Sequence, residues 1–151
     1  MRVHLGCDHA GYELKNMLAA YLREAGHDVV DHGAHEYDAE DDYPAFCFET
    51  AEGVVEEPGS LGIVIGGSGN GEQIAANKVR GVRAALGWSV ETATLAREHN
   101  DANVLTLGAG LVGENLAWQI VQTWLATPWA EGRHAARVAM IDEVDRRYRG
   151  D

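Results

Sequence analysis

An apolar segment that ends in a cluster of glycines constrains the fold of this chain more than any other feature. Residues 61–65 read Leu-Gly-Ile-Val-Ile, a nearly continuous apolar run typical of a parallel strand that is buried on both faces. Residues 66–71, which we call the glycine loop, read Gly-Gly-Ser-Gly-Asn-Gly, and a helix is predicted to begin near Glu72. A buried strand that turns sharply into a helix predicts an α/β fold.

The same alternation of strand and helix continues through the chain. Strand patterns are predicted at residues 2–7, 27–31, 61–65, 82–86 and 104–107, and helical patterns at 12–22, about 45–56, from about 72, at 90–98, 114–125 and 133–148. Strands that alternate with helices predict a parallel sheet with helices on both faces, because right-handed crossovers are the common connection. The predicted fold class is therefore a doubly wound α/β sandwich with a five-stranded parallel sheet.

The last helical pattern, residues 133–148, has no strand after it. Ala136, Ala139, Met140 and Val144 share one side of this helix. Because no further strand follows, we interpret it as an arm that packs on a partner subunit.

Length and composition indicate a globular protein. A chain of 151 residues has the size of one domain, here residues 1–151. No apolar run approaches the roughly 20 residues of a membrane helix, and the N-terminal residues show no secretory signal pattern. Cys7 and Cys47 lack metal-site spacing and are interpreted as small buried hydrophobic residues. A cytoplasmic protein without membrane contact is expected.

The charge of the chain argues against nucleic acid as a partner. The formal net charge is -12, whereas proteins that bind DNA or RNA gain most of their affinity by neutralising phosphates with Lys and Arg. A small phosphorylated metabolite remains compatible with this charge, because a few local donors suffice to bind one anionic group.

The glycine loop is suited to a phosphate or an oxyanion. Glycines allow a sharp turn that points successive backbone N–H groups inward, and the following helix adds the positive end of its dipole. The loop does not match the nucleotide motifs, because no Lys-Ser or Lys-Thr follows it and its spacing is GxGxG rather than GxGxxG. The alternative is a tight turn that binds nothing.

Several ionisable residues lie where a parallel sheet places its ligands, beyond the carboxyl ends of the strands. Glu72 follows the glycine loop and is either a dipole-complementing acid or a general base for a carbon next to a carbonyl. Asp8 and His9 follow the first strand and are compatible with a surface pair, a ligand-holding pair or half of a metal site. His99 ends a helix and suits either the dipole or proton transfer near neutral pH. No HxH or HxxxH spacing supports a metal ion, so none is predicted.

Several motifs occur together in a fixed order. They are Gly-Cys-Asp-His-Ala-Gly-Tyr-Glu-Leu-Lys at 6–15, Asp-Tyr-Pro at 42–44, the glycine loop at 66–71, Ile-Ala-Ala-Asn-Lys at 74–78 and Arg-Glu-His-Asn at 97–100. In this combination the chain strongly resembles the type B ribose-5-phosphate isomerases and the related galactose-6-phosphate isomerase subunits. The resemblance implies a Rossmann-like three-layer sandwich, a homodimer or dimer of dimers with active sites at the subunit interface, no cofactor, and aldose–ketose isomerisation through an enediolate.

The resemblance also implies residue roles. Glu72 is the implied catalytic base, His99 helps to open the sugar ring, and Ser68 lies close to the reacting oxygens. Arg133 and Arg137 match phosphate-binding arginines. The full set of implied substrate-binding residues is Asp8, His9, Tyr43, Gly67, Gly69, Asn70, Gly71, Asn100, Arg133 and Arg137.

The chain departs from the family pattern at two positions. One branch of the family uses a cysteine at the end of the third strand as the base, whereas this chain has Gly66 there and carries Glu72 at the position of the glutamate branch. After the fifth strand, family members usually carry an arginine where this chain has Gly110. Loss of one charge-assisted contact is expected to weaken phosphate binding by roughly 1.5–3 kcal/mol.

The leading prediction is an enzyme that interconverts ribose 5-phosphate and ribulose 5-phosphate. Gly110 leaves open another substrate: a hexose or tetrose phosphate, or an unphosphorylated rare sugar. A phosphate or nucleotide sensor without catalysis is a further alternative, against which Glu72, His99 and Asp8 argue because binding needs no proton-transfer groups. The last alternative is that the chain is a structural subunit of a mixed oligomer.

Overall fold

The chain alternates strands and helices as expected. The computed structural model describes residues 1–150. The elements are β1 Arg2–Cys7, α1 Tyr12–Glu24, β2 Asp28–Asp31, α2 Tyr43–Glu56, β3 Leu61–Gly66, α3 Asn70–Ala76, β4 Ala84–Leu86, α4 Val90–Asn100, β5 Val104–Gly108, α5 Glu114–Ala126 and α6 Arg133–Tyr148. None of the helices in the described residues is both long enough and apolar enough to span a bilayer.

The five strands form one parallel sheet in the order β2-β1-β3-β5-β4. From β1 the chain moves first to one side, to β2, and then back past β1 to β3. The strand order therefore reverses between β1 and β3, and in open parallel sheets the crevice at this point, beyond the carboxyl ends of the strands, is where ligands bind. The predicted parallel α/β sandwich is confirmed.

Both faces of β3 are buried, as its apolar sequence predicts. Ile63 and Ile65 belong to a core cluster with α1 and α5 on one face, whereas Val64 packs with Cys47 of α2 on the other. Side chains alternate between the two faces of a strand, so a helical layer on each side buries all of them. The Cys47 thiol is fully buried, and burial raises its pKa to about 12.

Two predicted boundaries were wrong. Helix α2 begins at Tyr43 rather than near Ala45, because Pro44 in the first turn has no N–H to lose and its fixed φ suits a helix start. Strand β4 begins at Ala84 rather than Val82, because the Val82 N–H closes a turn on the Val79 carbonyl at 3.1 Å.

The terminal helix α6 contacts its own chain along one side. Val138 is buried, and the Asp145 carboxylate accepts a hydrogen bond from the Gly81 N–H at 2.9 Å. The apolar side predicted from the sequence is exposed in the single chain: Met140 is 67% and Val144 45% solvent-accessible. Packing of this side on a partner subunit stays a prediction.

Candidate active site

The glycine loop lies at the carboxyl end of β3 and is held by its carbonyl groups. The Ala109 N–H donates to the Gly66 carbonyl at 2.7 Å, and the Gly110 N–H donates to the Gly67 carbonyl at 3.0 Å. Within residues 1–150, no hydrogen bond uses the N–H groups of Gly67, Ser68 or Gly69. The loop thus keeps backbone donors available for an anion.

Two positions of the loop require glycine, one for its backbone conformation and packing and the other for packing. Gly69 has a φ of +85°, and a Cβ at this position would lie 2.5 Å from Leu86 Cδ1. A Cβ at Gly71 would lie 2.5 Å from the Tyr43 hydroxyl oxygen. The same close approach shows that Tyr43, at the start of α2, lies directly against the loop.

Glu72 is buried in the first turn of α3. Only 4% of the surface of Glu72 is exposed. A Cβ placed on Gly66 would lie only 1.3 Å from Glu72 Oε1. The carboxylate therefore fills the space that a side chain at position 66 would need. Burial, assisted by the charge of Asp8, raises the pKa of Glu72, while a hydrogen bond from its own backbone opposes the shift.

Asp8 shapes the turn that follows β1. Its Oδ1 accepts hydrogen bonds from the backbone N–H groups of Ala10 and Gly11 at 3.0 and 3.3 Å and so caps a 3₁₀ turn over His9–Gly11. Asp8 is 7% exposed. The first of the two strands that flank the crevice therefore ends in a buried carboxylate.

His9 is hydrogen-bonded to Asp41, a residue that the sequence motifs do not single out. Its Nδ1 lies 2.7 Å from Asp41 Oδ1, and this hydrogen bond raises the pKa of His9. Atoms of Asp8, His9 and Asp41 lie within 4.8 Å of one another, a spacing that would also suit a cation. Because Nδ1 and Oδ1 are already engaged with each other, we interpret the cluster as a hydrogen-bonded one.

Ser68 and Asn70 flank the turn from the loop into α3. The Asn70 N–H donates to Ser68 Oγ at 3.2 Å. Asn70 is exposed, whereas Ser68 is half-buried. The serine hydroxyl is thus oriented by the helix start while it retains a proton to donate.

His99 and Asn100 lie elsewhere. They end α4, a helix that starts after β4 and runs back to the beginning of β5, so its last residues lie at the amino end of the sheet. Its 11 residues correspond to about 16 Å of helix. No hydrogen bond, ion pair or ring contact within residues 1–150 joins His99 or Asn100 to the glycine loop.

The start of α6 lies beside His99. The rings of His99 and His134 are stacked, with centroids 4.2 Å apart and planes 18° from parallel. Burial lowers the pKa of His134, and the charges of His99, Arg133 and Arg137 contribute in the same direction. The two arginines therefore share this end of the molecule with His99.

The candidate residues thus fall into two groups. The glycine-loop group consists of Asp8, His9, Tyr43, Glu72 and the loop itself. The terminal-helix group consists of His99, Asn100, Arg133, His134 and Arg137. Each group is assembled by the fold, but a single copy of the chain does not bring the two together.

Arg83 ties the terminal-helix group to the sheet and carries no sequence signal for this role. Its Nε donates to the Asn100 carbonyl at 2.9 Å, and its Nη1 lies 2.9 Å from Asp142 Oδ1 on α6. One side chain therefore connects β4, the end of α4 and the terminal helix.

Comparisons with known proteins agree on one family. Residues 3–141 match the family model described as Ribose/Galactose Isomerase. The chain is 55% identical over 151 residues to ribose-5-phosphate isomerase B of Mycobacterium tuberculosis strain H37Rv, in an alignment that covers 98% of this chain and 92% of that protein.

Solved structures give the same result. Ribose-5-phosphate isomerase B of Clostridium thermocellum is 46% identical, with a TM-score of 0.94 and coverage of 98% of this chain and 99% of that one. Ribose-5-phosphate isomerase B of Mycoplasma genitalium, solved with bound ribulose 5-phosphate, is 39% identical, with a TM-score of 0.93 and 96% coverage of both chains.

Proposed function

Because the chain belongs to the ribose/galactose isomerase family, we propose that it is an aldose–ketose isomerase that interconverts ribose 5-phosphate and ribulose 5-phosphate. The observation that carries this proposal is the buried carboxylate of Glu72, which adjoins a loop with free backbone donors. Proton abstraction beside a carbonyl needs this pair: a base for the carbon-bound proton and donors for the oxyanion that develops.

Glu72 is the base that moves a proton between two carbons. Its carboxylate removes the proton from C2 of the open-chain aldose, and the C–H electron pair becomes the C1–C2 double bond of an enediolate. The backbone N–H groups of Gly67, Ser68 and Gly69 stabilise the negative oxygen. Protonated Glu72 then returns the proton to C1, while the proton of the O2 hydroxyl passes to O1, so that O2 becomes the ketone oxygen and O1 a hydroxyl.

A second copy of the chain supplies the remaining residues of each site. The glycine-loop group of one copy and the terminal-helix group of the other then face a single substrate, with His99 at the ring oxygen and Arg133 and Arg137 at the phosphate. The exposed apolar side of α6, with Met140 67% accessible, favours such a homodimer or dimer of dimers. A charged sugar phosphate does not leave a cell through the lipid bilayer, so we expect the enzyme to work in the cytoplasm.

Solvent deuterium exchange tests the chemistry. Purified protein is incubated with ribose 5-phosphate in D2O, and ribulose 5-phosphate formation and deuterium at the exchanging carbon are followed by NMR. We expect both signals with the unaltered protein and neither with Glu72→Gln. Exchange that persists in Glu72→Gln would exclude Glu72 as the base.

Complementation between two inactive variants tests the shared site. Glu72→Gln and His99→Asn are unfolded together and refolded. If each site combines two copies, the mixture recovers about a quarter of normal activity, since about half of randomly formed dimers are mixed and one of their two sites is intact. A mixture that stays as inactive as its components would show that each site is built within one chain.

Gly110 supports a second candidate substrate within the same reaction class. A Cβ at this position would lie 3.1 Å from the Gly67 carbonyl, so an arginine here would lie beside the site, and this chain lacks it. Another pentose, hexose or tetrose phosphate, or an unphosphorylated sugar, is therefore the alternative. A panel of these sugars distinguishes the candidates by kcat/KM, and a preference of at least about 10-fold, or ~1.4 kcal/mol, identifies the substrate.

A further inference from the structure

Asp41 holds His9 by two hydrogen bonds. It lies in the segment between β2 and α2, and its side chain is 10% exposed. Its Oδ1 accepts from the backbone N–H of His9 at 2.9 Å and contacts His9 Nδ1 at 2.7 Å. One oxygen atom therefore fixes both the backbone and the ring of the same residue.

This contact determines which ring nitrogen carries the proton. An ionised carboxylate accepts hydrogen bonds but donates none, so the Nδ1 of His9 must be the donor. The other nitrogen, Nε2, is then the atom that gains or loses a proton when His9 titrates. When His9 is charged, Nε2–H is a donor that no described residue uses.

The charged groups that act most strongly on His9 all favour the charged ring, and only the partial burial of the ring opposes them. Asp41 acts first through its hydrogen bond, and Asp8 and Asp38 add their charges; together they raise the pKa of His9. The ring of Tyr37 packs edge-on at 6.3 Å and brings no charge at neutral pH. The second oxygen of Asp41, Oδ2, is buried and has no hydrogen-bond partner within residues 1–150, so His9 is the only described partner for this carboxylate's charge.

We propose that Asp41 is a positioning residue for the isomerase reaction: it orients the imidazole of His9 and keeps its Nε2 as a hydrogen-bond donor toward an anionic oxygen of the sugar phosphate. The proposal rests on the proposed function for the identity of the substrate. The orientation and charge of His9 are properties of the free protein. Asp41 acts through His9 and needs no contact with the substrate.

The role of Asp41 has two measurable consequences. The first is the tautomer of His9: above its titration, neutral His9 carries its proton on Nδ1. The second is the pH dependence of KM, which rises as pH increases through the pKa of His9, because the donor on Nε2 is lost. Asp41→Asn keeps an oxygen that accepts from Nδ1 but removes the charge, so it shifts the rise in KM to lower pH.

The experiment combines NMR on the free protein with kinetics. Nitrogen-15 spectra of the histidine rings are recorded against pH for the unaltered chain, for Asp41→Asn and for Glu40→Gln, which removes the charge of an exposed carboxylate in the same segment. His9→Asn assigns the signal. We expect a lower His9 pKa in Asp41→Asn alone and, near neutral pH, a rise in KM of about 10-fold, the size of one charge-assisted contact, with little change in kcat.

The double variant Asp41→Asn with His9→Asn isolates the coupling. If Asp41 acts through His9, its replacement has no further effect on KM once His9 is absent. Additive effects, an unchanged His9 pKa in Asp41→Asn, or a proton on Nε2 of neutral His9 in the unaltered chain would each overturn the proposal. The tautomer measurement needs no variant that alters Asp41, so it decides the question even if Asp41→Asn fails to fold.

Failure of the proposed function looks different. If the unaltered chain isomerises no sugar phosphate, the reaction assigned above is wrong, whereas the His9 titration in the free protein still reports on Asp41. A normal isomerase whose His9 titration ignores Asp41 refutes the positioning role alone.

Discussion

The glycine-loop group and the terminal-helix group differ in how the chain holds them. In the first, Asp8 and Glu72 are 7% and 4% exposed and are fixed by backbone hydrogen bonds and close packing next to the sheet. In the second, Arg133 and Arg137 are exposed, and the end of α4 is tied to the rest of the chain by Arg83. The two carboxylates of the first group are buried, whereas the arginines of the second lie on the surface.

This difference follows from what each group has to do. Proton transfer requires a base held in one geometry with a tuned pKa, which only a buried, packed position provides. Residues that reach a substrate held by another copy must lie on the surface of their own chain. The burial of the base and the exposure of the arginines therefore agree with the proposed division of one site between two copies.

The largest expected effect comes from the base itself. Glu72→Gln keeps the size and burial of the side chain but removes the proton acceptor, so kcat is expected to fall by about 10²–10⁴-fold with the fold intact. Steady-state kinetics and circular dichroism measure the two effects. Glu91→Gln, an exposed acid in the first turn of α4, is the matched control and should retain full activity.

Gly66→Ala tests how tightly the base is packed. The added Cβ would overlap Glu72 Oε1 at 1.3 Å, so the carboxylate must move. We expect a loss of about 1–3 kcal/mol in the free energy of unfolding and at least about a 10-fold loss of kcat from the misplaced base. Gly113→Ala, where a Cβ meets nothing within 4 Å, should leave kcat unchanged. If Gly66→Ala is fully active, the carboxylate is not held where the structure has it.

The fold and the glycine-loop group follow from sequence because their signals are local. Periodicity marks the strands, and parallel strands bring Asp8 and Glu72 to the same edge whatever the details of packing. The partners of His9 and Asn100 could not be predicted in this way. Asp41 is 32 positions from His9, and Arg83 is 17 positions from Asn100 and 59 from Asp142, and no local pattern encodes such pairings.

The same distinction explains what the sequence leaves open at α6. Its apolar residues predict a packed side, but a periodic pattern does not state what covers it. In the structure the acidic residues Asp142 and Asp145 hold the helix on its own chain, and Met140 and Val144 remain exposed. A helix with one side bonded to its own chain and an apolar side uncovered is what a shared interface requires.

Gly110→Arg restores the charge that this chain lacks beside the glycine loop. Gly110 needs no special backbone conformation, and its Cβ would require a shift of a few tenths of an ångström from the Gly67 carbonyl at 3.1 Å. We expect KM for ribose 5-phosphate to fall by about 10-fold, from one charge-assisted contact, with no change for unphosphorylated ribose. Gly113→Arg adds the same charge three residues further along the chain, where a Cβ meets nothing within 4 Å, and should leave KM unchanged.

The ionisation of Glu72 links activity and stability to pH with opposite signs. Its pKa is raised above the ordinary value of 4.5. As the pH is lowered, kcat/KM should therefore begin to fall while the pH is still above 4.5, because the base becomes protonated.

The stability of the fold should depend on pH in the opposite direction. The buried acid favours folding most below its unfolded pKa, and this contribution is lost as pH rises through the folded pKa. Urea unfolding at several pH values should therefore show Glu72→Gln gaining stability relative to the unaltered chain as pH rises. A constant difference would mean that Glu72 ionises normally.

Asp142→Asn tests the terminal-helix group, and its expected effect is the smallest of those predicted. Asp142 is 36% exposed in its side chain and pairs with Arg83 at 2.9 Å, so its charge is worth about 0.5–1 kcal/mol of folding free energy after solvent screening. Loosening α6 should raise KM more than it lowers kcat, because the helix carries Arg133 and Arg137 but no proton-transfer group of the glycine loop. Glu143→Gln removes an exposed partner of Arg147 at 3.6 Å and should affect neither. If Asp142→Asn instead lowers kcat at unchanged KM, the terminal helix acts on the chemical step, and the proposed division between a packed base and a surface-presented binding group fails.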